Sequence, residues 1–202
     1  MSWNVFSQIL IANSFFVDIV GLSNPRLKTQ IQIKKINTLN NIITESQSFL
    51  NSPKESKFIL PTGDGAAICF IGYVESPIEL ALELHRKLNQ YNGSVAKESE
   101  RIFVRIGIHA GPVIVLTDLL GNDNIWGSGI IFARRIMDIG QKNHILLSSD
   151  YVRLLKAVSE KWKDYKKMIH KIGYYTVKHD VSLMVYSAYS ESFGNPSRVS
   201  KS

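Results

Sequence analysis

The chain has 202 residues, 45% hydrophobic and 20% charged, which suits one packed domain and excludes extended disorder. Its formal net charge of +7 favours anionic partners such as nucleotides, nucleic acid or an acidic membrane surface, although solvated faces of amphipathic elements account for the same surplus. The single cysteine, Cys69, excludes an intrachain disulfide and fits a reducing, cytoplasmic setting, and no segment is long and apolar enough to span a bilayer.

The start carries no basic n-region, and Asn4, Gln8, Asn13 and Ser14 interrupt its apolar residues, so a signal peptide is not expected. Residues 3–11 suit a short helix and residues 13–20 a first strand. That strand, "SFFVDIVGLS", holds Asp18 among Phe15, Phe16, Val17, Ile19 and Val20, an expensive place for a carboxylate unless something compensates it. Gly21 and Pro25 end the strand. Leu27, Ile31, Ile36, Leu39, Ile42, Ile43 and Leu50 then recur near helical spacing and predict one long helix.

"KFILPTGDGAAICFIGY" predicts strand, turn and strand with Gly63, Asp64 and Gly65 at the tip. Cys69 lies in its second apolar run and reads as a buried strand residue, not a nucleophile. A helix follows, with Ser76 as N-cap, Pro77 in its first turn and Glu79 completing a capping box. "RIFVRIGIHAGPVIVLTD" predicts two strands separated by a Gly-Pro break, and "GSGIIFARRIMDIG" a helix ending at Gly140. "HILLSS" is a strand, and a helix starts from Ser149. A hairpin ends the domain at about residue 190, and residues 191–202 form a flexible tail. Hairpins mixed with helical crossovers give an α+β class: a mostly antiparallel sheet with helices packed on one face.

Asp18 ends one strand and Asp64 tips the next hairpin, so the two carboxylates converge if those strands are neighbours. Two close carboxylates repel, and a divalent cation removes the repulsion. Oxygen ligands with positions left for phosphates suit Mg²⁺ or Mn²⁺. The alternatives are that Asp18 caps a turn and that Asp64 only satisfies the hairpin. Backbone N–H groups at the strand-to-helix turn after Ile19 can cradle phosphate. Arg134 and Arg135 point about 100° apart on one helix, so at most one faces a given site. An arginine aimed at a transferring phosphoryl group stabilises its charge, whereas a surface arginine pairs with a neighbour such as Asp138.

In order, "FFVDIVGLS", "PTGDGAAICF", "VRIGIHAGPV", "NIWGSGIIFARRIMDIG" and "ILLSSDYV" resemble the catalytic domain of class III nucleotidyl cyclases over roughly residues 12–188. The resemblance implies a ferredoxin-like fold and a head-to-tail homodimer with two interfacial sites. It implies two Mn²⁺ or Mg²⁺ ions per site on Asp18, Asp64 and the Ile19 carbonyl. Substrate contacts fall on Phe16, Gly21, Leu22 and Ser23, with backbone around the last two holding phosphates. Arg135 matches the transition-state arginine, supplied across the interface, and Lys178 the lysine on the terminal phosphate. The substrate is a nucleoside triphosphate; neither nucleic acid nor a membrane is an implied partner.

Three positions depart from the family pattern. The base-selecting Lys or Glu falls on Leu60, the second base-selecting position on Asn124, and the ribose-binding Asn on Ile131. With the small size, these changes are similar to the bacterial pyrimidine cyclases of Pycsar anti-phage defence. Those make cyclic UMP or cyclic CMP for a downstream effector that the cyclase does not itself bind. Asn124, donor and acceptor at once, suits uracil or cytosine. The alternatives are an adenylate or guanylate cyclase with an unusual base pocket and a degenerate nucleotide-binding domain without turnover. A third is a basic module that binds RNA through strand aromatics such as Phe15, Phe16 and Phe103.

Overall fold

The computed structural model describes residues 9–119, 121–178 and 180–199. Strands β1 (Ile9–Ile19), β2 (Lys57–Pro61), β3 (Gly65–Ile71), β4 (Val104–Thr117), β6 (Ile145–Ser148), β7 (Ile169–Val177) and β8 (Val181–Ala188) form one sheet. Their order is β2-β3-β1-β4-β6-β8-β7, with β5 (Asp123–Trp126) on β4. Every pairing is antiparallel except β4 with β6. The α+β class and the mostly antiparallel sheet are as expected.

Alternate residues of β1 face opposite ways. Phe15 and Val17 join Ile68, Phe70, Ile106, Ile108 and Leu147 in the main core. That face is covered by α1 (Thr29–Thr44), α3 (Ser76–Ser94) and α5 (Ser149–Val158), through Leu39, Leu84 and Tyr151 among others. Phe16 and Ala67 face the other way and pack on Ala133 and Met137 of α4 (Ser128–Asp138). The helices therefore cover both faces, not one as the sequence suggested. Gly107 makes this possible: a Cβ there would lie 2.3 Å from the Ala133 carbonyl oxygen. Only a glycine lets α4 lie so close on β4.

Local readings change in several places. Residues 9–11 belong to β1, not to a short helix, and the rest of that expected helix lies outside the described residues. The long helix is two, α1 and α2 (Gln47–Asn51). Ser46 breaks it with extended backbone, and the Glu83 carboxylate accepts from the N–H groups of Gln47 and Ser48. That cap comes from another helix, so local pattern gives no sign of it. Glu79 forms no capping box, because its carboxylate accepts from Lys161 and Tyr165 instead. Helix α5 starts at Ser149 as expected, with Ser148 as its cap, the Ser148 Oγ accepting from the Tyr151 N–H at 3.1 Å.

The Gly111-Pro112 step does not interrupt β4. Strand β6 pairs with β4 through Ile108 and β5 begins pairing at Ile114. Pro112, which has no N–H to donate, falls where that edge is unpaired. A short helix, α6 (Trp162–Tyr165), was not foreseen. Cys69 is buried, its thiol pushed up to about 11 by burial and donating to Ser14 Oγ, as a core residue should be. Of the tail expected over residues 191–202, the described part, residues 191–199, lies against the body: Val199 is 4% exposed and Asn195 Nδ2 donates to the Lys142 carbonyl.

Candidate active site

The site begins with strand register. Asp18 of β1 pairs with Gly65 of β3 on one side and Arg105 of β4 on the other. Asp64 immediately precedes Gly65, and its carbonyl accepts from the Ile19 N–H at 2.9 Å. The strands of Asp18 and Asp64 are thus neighbours, and the two acidic residues flank one junction.

Asp18 is only 5% exposed. Its compensating charge is Arg105, which sequence reasoning passed over inside "VRIGIHAG". Arg105 Nε donates to Asp18 Oδ1 at 2.9 Å, and Nη2 donates to Oδ2 at 2.7 Å. This two-pronged pairing is a strong form of carboxylate recognition. The carboxylate holds the Arg105 guanidinium above its ordinary pKa, against a partial burial that lowers it. On its far side, Arg105 Nη2 lies 3.6 Å from Asp138 Oδ1, and Nη1 donates to the Asp138 carbonyl at 3.3 Å. No hydrogen bond or ion pair reaches the Asp64 carboxylate among the described residues, although its charge is felt at Arg105.

Leu22, Ser23, Gln32, Ile36, Thr62, Gly63 and Asp64 line a cavity of about 350 Å³ beside this junction. Gly21, at φ +76°, turns the chain there, and Gln32 Nε2 braces the turn by donating to the Leu22 carbonyl at 2.8 Å. Thr62 Oγ1 is buried at this cavity with no hydrogen-bond partner among the described residues. Asp64 and Thr62 line the cavity and Asp18 and Ile19 adjoin it, so the donors the junction offers are oxygens. That chemistry fits a hard divalent cation.

Arg135 and Lys178 line a second cavity, of about 160 Å³, with Asp138, Ile139, Thr176 and Val177. Arg135 makes no ion pair among the described residues, and its guanidinium lies 5.2 Å from the centroid of the Phe132 ring on the same helix. Lys178 follows β7 directly, which brings it beside Arg135 despite their separation in sequence. Leu60 lies on β2 and is part-buried against the Phe16 cluster under α4. Asn124 lies on β5 opposite Leu116, and its Oδ1 accepts from the Ile125 N–H at 2.9 Å. Ile131 is on the outer face of α4, 50% exposed. The structure gathers Asp18, Ile19, Leu22, Ser23 and Asp64 at one junction, and places Arg135 with Lys178 at a cavity whose Asp138 is tied to Asp18 through Arg105.

Strand β4 measures the distance to Asn124. Arg105, opposite Asp18, and Leu116, opposite Asn124, are 11 residues apart on it. At ~3.3 Å per residue that is roughly 36 Å along the strand, far longer than a nucleotide.

The model of the adenylate and guanylate cyclase catalytic domain matches residues 8–186, and the chain belongs to that family. Members use divalent metal ions. The fold is similar to the adenylyl cyclase CyaB from P. aeruginosa: TM-score 0.70 and 19% identity, covering 93% of this chain and 98% of that one. It is likewise similar to the guanylate cyclase domain of RhGC from Catenaria anguillulae, solved in complex with GTP. There the TM-score is 0.65 and identity 19%, covering 91% of this chain and 98% of that one.

Among curated proteins, a histidine–tRNA ligase from Phocaeicola vulgatus is 37% identical over 109 residues. The match takes in 52% of this chain but only 22% of that ligase's length. No helix among the described residues is long and apolar enough to cross a membrane.

Proposed function

We propose that two copies of this chain form a nucleotide cyclase acting on a pyrimidine nucleoside triphosphate, UTP or CTP. The products are the 3′,5′-cyclic monophosphate and pyrophosphate. The observation that carries the two-copy reading is the distance of Asn124 from the aspartates. Asn124 lies roughly 36 Å along β4 from the half formed by Asp18, Ile19, Leu22, Ser23 and Asp64, and Arg135 and Lys178 are assigned to the half with Asn124. A head-to-tail pair joins the aspartate half of one copy to the arginine half of the other, giving two sites.

In the reaction the ribose 3′-oxygen bonds to the α-phosphorus, the hydroxyl proton departs, and the bond to the leaving pyrophosphate breaks. Asp18, Asp64 and the Ile19 carbonyl would hold Mg²⁺ or Mn²⁺, two ions per site. When bound, such ions supply Lewis-acid charge to the 3′-hydroxyl and the triphosphate. Backbone of the Leu22–Ser23 turn positions phosphate oxygens. Arg135 of the second copy stabilises the charge developing at the α-phosphate, and Lys178 holds the terminal phosphate. Phe16, beneath Leu60, supports the wall on which the base rests.

Leu60 offers the base no hydrogen bond, which leaves base reading to Asn124. An amide with a donor and an acceptor serves uracil or cytosine equally. The departures at Leu60 and Asn124 connect the chain with bacterial pyrimidine cyclases of antiviral defence, and a diffusible signal to a separate effector follows from that likeness. One observation favours a second reading, a nucleotide-binding domain without turnover: Ile131 presents an exposed methyl group where a ribose-binding amide is expected.

The test is to incubate the pure protein and Mn²⁺ with ATP, GTP, CTP and UTP separately and to analyse products by mass spectrometry. Cyclic UMP or cyclic CMP with pyrophosphate is the expected result. A purine product assigns an adenylate or guanylate cyclase with an unusual pocket. No cyclic product from any of the four sinks the enzyme reading.

A further inference from the structure

Arg105 is placed between three negative charges: Asp18, Asp138 and, more remotely, Asp64. Its pairing with Asp18 occupies both oxygens of a carboxylate proposed to hold metal. A guanidinium and a divalent ion cannot both take those oxygens at full strength, so each weakens the other. Asp138 is the second anchor. It ends α4, where a negative charge works against the helix dipole. It is 43% exposed at its side chain, and Arg105 already spans from it to Asp18. The guanidinium, 29% exposed, therefore has a short path from one carboxylate to the other and no buried barrier to cross.

We propose that Arg105 is the resident counter-cation of Asp18, displaced when a divalent ion binds, and that Asp138 receives it. This rests on the metal reading of Asp18. Before loading, Arg105 prevents an unpaired buried carboxylate next to Asp64. On loading it shifts its charge towards the C-terminal end of α4, the helix that carries Arg135. Apparent metal affinity is thereby lowered by the fraction of molecules in which Arg105 holds Asp18.

The experiment measures binding of Mn²⁺ alone to the full chain, without nucleotide, by electron paramagnetic resonance of the free ion. Wild type is compared with Arg105→Gln, Arg105→Lys, Asp138→Asn, Asp18→Asn and the Arg105→Gln/Asp138→Asn pair. Arg105→Gln removes the competitor and is expected to bind Mn²⁺ about 10-fold more tightly or better. Arg105→Lys keeps the charge but loses the two-pronged contact, so it falls between and serves if the Gln variant does not fold. Asp138→Asn removes the receiving anion and weakens Mn²⁺ binding several-fold in the wild-type background. The same substitution has no such effect beside Arg105→Gln.

Equal or weaker binding by both Arg105 variants overturns the proposal. So does an Asp138→Asn effect that is undiminished when Arg105 is gone, because it then acts directly on the ion. If Asp18→Asn binds Mn²⁺ as well as wild type, the metal reading itself fails and the proposal falls with it. Tighter binding by Arg105→Gln with none by Asp18→Asn supports both.

Discussion

A buried carboxylate beside a buried strand demands a partner, and at Asp18 the partner is Arg105, reached through register and not through sequence proximity. Charge-assisted pairs of this kind contribute ~1.5–3 kcal/mol when intact, and removing one partner exposes the other's desolvation cost. Asp18→Asn is therefore expected to abolish cyclic nucleotide formation while costing about 1–3 kcal/mol of stability, read by denaturant unfolding. Asp64→Ala, with no ion pair to lose, should abolish turnover at almost no cost in stability. Normal turnover in either variant contradicts the roles given to these carboxylates. Asp18 and Asp64 were legible because each breaks a local pattern, a charge in an apolar run and an acid between two glycines. Arg105 was not, since an arginine at the start of a strand is unremarkable until the pairing sets it opposite Asp18. Thr62 and Gln32 stayed hidden for the same reason: their roles depend on what the turn after Gly21 folds against.

Elements differ in how much of them local pattern can specify. The β2–β3 hairpin and the C-terminal hairpin follow from alternation and turn residues. The break between α1 and α2 does not, because its cap is supplied by Glu83 from α3. The placement of α4 depends on Gly107 of another element. Ile131 sits on the outer face of that helix, so Ile131→Asn should fold normally and change only what the helix offers a substrate. It is expected to raise kcat with little effect on melting temperature; unchanged or lower kcat removes Ile131 from the ribose site.

Two buried imidazoles, His85 of α3 and His109 of β4, have their pKa held down at about 4 by burial. Folding then favours their neutral forms, so the unfolded chain binds more protons below its ordinary histidine pKa of about 6.5. Stability contributed by each is full above pH 6.5 and falls as pH drops towards 4, by on the order of 3 kcal/mol per group. Thermal unfolding across that window should show the slope, and His109→Gln should flatten it.

At the level of the molecule, a family model over residues 8–186 and similar solved structures agree with the architecture expected from five ordered motifs. What composition could not reveal is the packing of residues 191–199. There the buried His144, its pKa lowered by burial, hydrogen-bonds the Ser197 carbonyl at 3.0 Å, and Tyr175 reaches the Val199 carbonyl. Ser, Gly and Asn suit a loose tail and a docked segment alike, and only the surface beneath decides. The assembly is argued from the same kind of fact: Asn124 and Asp18 lie at opposite ends of strands β4 and β1, and Arg135 lines a different cavity from Asp64.

The most direct measurement mixes two inactive variants, Asp64→Ala and Arg135→Ala, and assays cyclic nucleotide formation after exchange of subunits. A shared site predicts that neither variant alone turns over and that the mixture recovers about a quarter of wild-type activity, since random exchange makes half the pairs mixed and each mixed pair has one intact site of two. An inactive mixture, with mixed pairs demonstrated by mass spectrometry, contradicts the division of the site between two chains.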